Sequence, residues 1–111
     1  MTVLELAKEM DLKIINEGEA AEREIHGVYC CDLLSIVMGR AKADDAWITV
    51  MGNINAVAVA VLSDVACVIL SEGMTIDDES VAKAREQDVC ILASEQPTFE
   101  LSRRIAELCG I

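Results

Sequence analysis

The residues best suited to chemistry fall on short turns that follow apolar runs. Gly52 and Asn53, with Asn55, follow Ala46–Met51; Ser71 and Gly73 follow Ala66–Leu70; Ser94 follows Val89–Ala93. Where such a turn opens a helix, backbone N–H groups point outward with partial positive charge and can hold a phosphate or carboxylate. A nucleotide lying across the turns is therefore one expectation. The local alternative is that Gly52 and Gly73 permit tight turns while Asn53 caps a helix. No Lys or Arg occurs in these turns, which favours the local alternative.

A second group is His26 with Cys30 and Cys31. A Cys–His pair can serve as nucleophile and base, or bind a soft metal and sense redox state. The chain has five cysteines and one histidine. An odd count argues against a disulfide framework, and no C-x-x-C supplies metal-ligand spacing. Cys67 and Cys90 open the runs CVIL and CILA, as buried small hydrophobes do. Packing is the expected role of the cysteines, and a redox or metal sensor the alternative. The acids Glu17, Glu19, Glu22 and Glu24 lack the ordered spacing of a calcium loop and read as a solvated loop. Asp77 and Asp78 suit the start of a helix, where negative charge complements the dipole. Neither a G-x-x-x-x-G-K-[ST] phosphate loop nor a G-x-S-x-G elbow occurs. The expectation is a protein that is not an enzyme and has no resident cofactor or metal.

The elements that must carry these residues alternate. Thr2 and Glu5 have capping-box spacing for a helix over 2–10. A strand over 12–15, an acidic loop with Gly18 as turn, and a strand over 25–31 follow. Asp32 is a candidate cap for a helix through Met38, ended by Gly39. Then come a strand over 46–51, a helix over 54–64 capped by Asn53 or Asn55, and a strand over 66–70. A helix over 77–87 turns Val81, Ala84 and Ala82 inward. A strand over 89–93 and a helix from Pro97 to Leu108 close the series, with Leu101, Ile105 and Leu108 as its buried stripe and Gly110 as its stop. Short apolar strands alternating with helices predict a mainly parallel sheet flanked by helices, with ligands beyond the C-terminal strand ends.

The helix over 54–64 is apolar nearly all round, so both its sides must be buried. Ile54, Val57, Ala58, Val61 and Leu62 form one side, expected to meet a second copy in a twofold homodimer.

Bulk properties bound the rest. The chain has 111 residues, 53% of them hydrophobic, and a net charge of −11. A chain of this length buries roughly 65% of its unfolded surface, enough for one core. The acidic surface excludes broad nucleic-acid binding and an anionic membrane face. The charges of residues 1–16 break up any signal-peptide core. The apolar stretch Ile54–Leu70 is interrupted by Asn55, Ser63 and Asp64 and is short for a membrane span. A cytoplasmic protein is expected.

Residues 29–108 resemble a DRTGG domain, on the segments YCCDLLSIVMG, AWITVMGNINAVAVAVLSDVACVIL and VCILASEQPTFELSRRI. Such domains stand beside paired CBS domains, in some phosphotransacetylases, and alone, and are related to the HPr kinase N-terminal domain. Where the family often has Gly-Asp-Arg, this chain has Gly52-Asn53-Ile54; where it often has Thr-Gly-Gly, this chain has Ser71-Glu72-Gly73. The glycines stay, but a cation is gone and a carboxylate has arrived. The resemblance implies a single small α/β domain, with residues 1–28 as an N-terminal helix, strand and acidic loop and 29–108 as the core. It also implies a non-catalytic regulatory or protein-interaction role, with an adenine nucleotide as the candidate ligand and an unknown enzyme or protein as partner. A ligand-free adaptor dimer is the alternative.

Overall fold

Local chemistry sets where each element begins. In the computed structural model, which describes residues 1–111, α1 (Val3–Glu9) opens on a capping box. Thr2 Oγ1 accepts the Glu5 N–H at 3.1 Å, and the Glu5 carboxylate accepts the Thr2 N–H at 2.8 Å. Next come β1 (Lys13–Asn16), a 3-10 turn (Glu19–Glu22), β2 (Gly27–Cys30) and α2 (Leu34–Arg40). The second half runs β3 (Asp45–Thr49), α3 (Ile54–Ser63), β4 (Cys67–Leu70), α4 (Asp78–Glu86), β5 (Ile91–Ala93) and α5 (Thr98–Cys109). Gly110, at φ 72°, ends α5 in the left-handed conformation that glycine adopts without a Cβ penalty.

The sheet order is β1-β5-β4-β3-β2. β2 through β5 are parallel, and β1 joins β5 antiparallel, with Lys13 opposite Ala93. Successive right-handed crossovers step in one direction across the sheet, which puts α2, α3 and α4 on one face. There Val37, Val57 and Ala84 pack with Trp47, Val68 and Ile91. The Trp47 indole N–H donates to the Cys31 carbonyl at 2.9 Å, so its burial leaves no polar group unpaired. α1, the 3-10 turn and α5 cover the other face, where Leu6, Ala21, Leu101 and Ile105 meet Ile48, Ile69 and Leu92. The N-terminal segment is thus part of one of the two cores. Arg23 fastens it further: its guanidinium donates to Asp44 at 2.6 Å, to Asp64 at 3.0 Å and to the Asp64 and Val65 carbonyls at 2.8 and 3.1 Å. No helix is long and apolar enough to cross a membrane.

Several local expectations are corrected. Asp32 does not cap α2; Leu33 holds that position without a side-chain bond. The Asp32 carboxylate instead accepts from Thr49 Oγ1 at 2.8 Å and from the Val50 N–H at 3.0 Å, serving the amide that β3 leaves free at its end. Gly39 lies inside α2, because the Ala41 N–H still donates to Val37 and closes the helix beyond it. Asn53, not Asn55, caps α3. In α4 the inward pair is Ser80 and Ala84, one turn apart, while Ala82 faces solvent. The acidic loop is not fully solvated, since the 3-10 turn buries Ala20 and Ala21. Val57 is 1% exposed and belongs to this chain's own core, leaving Ile54, Ala58, Val61 and Leu62 outward.

Candidate functional site

The parallel strands end at a rim where each strand gives way to a helix. At this rim the N-termini of α3, α4 and α5 already have acceptors from within the chain, whereas that of α2 has no side-chain cap. Asn53 Oδ1 accepts the Ala56 N–H at 3.0 Å, Asp77 Oδ1 accepts the Ser80 N–H at 2.7 Å, and the Glu72 carboxylate accepts the Thr98 N–H at 2.8 Å. The bond from the Ser80 amide holds the Asp77 carboxyl below the usual carboxylate range. A bound anion would have to displace these groups.

The turns are also bonded to each other. The Gly73 N–H donates to the Ser94 carbonyl at 3.0 Å, and the Glu72 N–H to the Gln96 carbonyl at 2.8 Å. Ser71 Oγ, fully buried, lies 2.7 Å from Thr98 Oγ1. A Cβ on Gly52 would run into the Thr75 carbonyl, so the turns after β3 and β4 touch backbone to backbone. The structure thus brings Ser71, Gly73 and Ser94 together, and Gly52 and Asn53 beside them. Bonds among the second and third turns occupy Ser71, Gly73 and Ser94, while the Asn53 side chain serves its own helix. Asn55 is apart, exposed on α3.

Around the corner, the β1 edge leaves a cleft of about 680 Å³. That is within the ~300–1,000 Å³ typical of small-molecule sites. One wall is Met10 and Asp11 with Lys13–Ile15 of β1; the other is Gly73–Ile76 with Val81; Ala93–Gln96 forms the floor. Ile14 and Met74 are exposed across it, while Ile76 and Val81 are half-buried. Lys13 is its single cation, against the carboxylates of Asp11 and Glu95. Of the residues expected from sequence, only Gly73 and Ser94 line it. Lys13, Ile14 and Met74 carried no signal in the sequence, because they meet only through the β1–β5 pairing of distant segments.

The cysteine–histidine group is dispersed. Alternation along β2 sends neighbouring side chains to opposite faces. Cys30 Sγ lies 2.9 Å from Ser102 Oγ on the α5 face, whereas Cys31 packs with the Trp47 core. His26 is 68% exposed beside Asp44, at the opposite end of β2 from Cys30, ~13 Å away at ~3.3 Å per residue. Burial pushes the Cys67 thiol well up and the Cys90 thiol to about 12. No three His, Cys, Asp or Glu side chains converge as metal ligands would.

A mainly parallel five-stranded sheet of this order, with helices on both faces, defines a small α/β domain. The sequence model of the DRTGG domain matches residues 5–108, and the chain belongs to that family. The fold is similar to a solved structure of the CBS and DRTGG domains of the regulatory region of Clostridium perfringens pyrophosphatase, complexed with its activator diadenosine tetraphosphate. The TM-score is 0.75 at 14% sequence identity. The match covers 92% of this chain and 44% of that one, so this chain spans less than half of the regulatory region. No curated protein matches the chain.

Proposed function

We propose that this chain is a non-catalytic regulatory domain of the cytoplasm that binds an adenine nucleotide in the β1 cleft and thereby tunes a partner enzyme. The observation that carries this reading is the cleft itself. Its apolar side chains, Ile14, Met74 and Ile76, suit the faces of a flat base, and Lys13 suits one phosphate. Family membership and the activator bound by the similar regulatory region support the same reading. With one cation in the cleft and a net charge of −11 on the chain, AMP binds at least as tightly as ATP.

Calorimetric titration of the full chain with AMP, ATP and diadenosine tetraphosphate tests this. Saturable binding that Lys13→Ala weakens about tenfold, ~1.4 kcal/mol, is expected. No heat with any of the three would overturn the ligand and leave the second reading, an adaptor that works through its surface alone. The internally bonded rim and the outward apolar residues of α3 are what favour that second reading.

A further inference from the structure

The charged groups around the β1 cleft differ from those of the rim in having no partner within the chain. Lys13, Asp11 and Glu95 line the cleft, and none of the three forms an ion pair. The Asp11 and Glu95 carboxylates accept no hydrogen bond either, whereas Asp77 and Glu72 each hold a helix amide. Gly73 sets the position of Glu95. A Cβ there would stand 2.6 Å from Glu95 Oε2 and 3.8 Å from Oε1, so the carboxylate lies over a bare Cα on the cleft wall. Lys13 pairs with Ala93, so both side chains share the face of the sheet on which Ile15 packs toward α4. Glu95 follows Ala93 by two residues, ~7 Å farther along at ~3.3 Å per residue. The cleft thus carries a cation at one point and a free two-oxygen acceptor a short span beyond it.

We infer that Glu95 is a specificity-determining residue of the cleft: its carboxylate accepts the two hydroxyls of a ribose, so the site takes a ribonucleoside 5′-monophosphate in preference to its 2′-deoxy counterpart. This rests on the nucleotide reading above. An ionised carboxylate only accepts, and it does so through two oxygens. Vicinal ribose hydroxyls supply two donors from adjacent atoms, which match both oxygens. An exocyclic amine offers its two hydrogens from a single nitrogen and suits only one. The pairing of a carboxylate with a ribose hydroxyl is the one that dinucleotide sites use. A phosphate at Glu95 would meet like charge, which places it at Lys13 instead. Ile14, Met74 and Ile76 offer a hydroxyl no acceptor and are left for the base. Phosphate, ribose and base are thereby ordered across the cleft.

Calorimetric titration of the full chain with AMP and with 2′-deoxy-AMP is the test. AMP is expected to bind about tenfold more tightly, the order of one hydrogen bond to a charged group. Glu95→Gln keeps the shape but turns one acceptor into a donor, and it is expected to cut that ratio to about twofold. Circular dichroism stays unchanged, because Glu95 is exposed. Glu100→Gln makes the same charge change on α5, outside the cleft, and leaves the ratio as it was. Three results would overturn the inference while the nucleotide reading stands: equal binding of the two ligands by the wild type, a ratio that survives Glu95→Gln, or one lost with Glu100→Gln. A Glu95→Gln protein that binds neither ligand would overturn it as well, since the diol accounts for no more than the tenfold preference. No heat from the wild type with either ligand overturns both readings together.

Discussion

The rim and the cleft lie at the same end of the sheet, yet they are built in opposite ways. Each rim turn joins a strand to the next helix, and its polar groups serve that helix or a neighbouring turn: Asn53 serves α3, Asp77 serves α4, and Glu72 serves α5. The cleft forms where segments remote in sequence, β1 and the 73–76 turn, stand beside β5 without filling the space between them. Glycines and small polar residues after strands therefore mark a finished rim in this chain. The opening depends on a strand edge instead.

Four experiments press on that contrast. The largest effect is expected at Gly52, where a Cβ must push back the Thr75 backbone. Gly52→Ala is predicted to cost about 2 kcal/mol, in the range of ~1–3 kcal/mol for overpacking, by urea denaturation. A stable Gly52→Ala protein would mean the rim is looser than its geometry implies. Lys13→Ala comes next, with the tenfold loss of nucleotide affinity and an unchanged unfolding midpoint, since Lys13 is exposed and makes no ion pair. Equal loss of stability would make Lys13 part of the scaffold. Asn53→Ala removes the α3 cap and should lower stability by about 1 kcal/mol, with Asn53→Asp restoring it. Nucleotide affinity that falls with Asn53→Ala would shift the site back to the rim.

The smallest effect is the response to acid. The Asp77 and Glu5 carboxyls are held below their ordinary values, in each case first by a backbone amide, from Ser80 and from Thr2. A depressed folded-state pKa stabilises the fold above the unfolded value, ~4, and that stability is lost as pH falls through the folded value. Asp77→Asn, which keeps an acceptor but cannot titrate, should flatten the acid limb of the unfolding midpoint plotted against pH. An acid limb identical to wild type would remove Asp77 from the account.

Much of this was legible in sequence because it is local. Thr2 and Glu5 sit at capping-box spacing and form the box; Asn53 sits before the apolar helix and caps it; Gly110 ends α5. The failures also have a common source. Asp32 looked like a cap by position, but a strand-end amide two segments away competes for its carboxylate. Gly39 looked like a stop, but a glycine within a helix costs only ~1 kcal/mol, which packing outweighs. Val57 sits just off the outward stripe of α3, and only the seat of that helix on the sheet decides that it faces inward.

By itself the amino-acid order determined the alternation of elements, the mainly parallel sheet, the apolar character of α3 and the family. Each of these is carried by periodicity, capping or turn residues acting within a few positions of one another. Which polar groups stay free was decided only by the tertiary structure. The Glu72 carboxylate finds the Thr98 amide, and β1 comes to lie against β5 and opens the cleft, through contacts between distant segments. Such contacts form when packing brings two surfaces within bonding distance, and no local pattern encodes that distance.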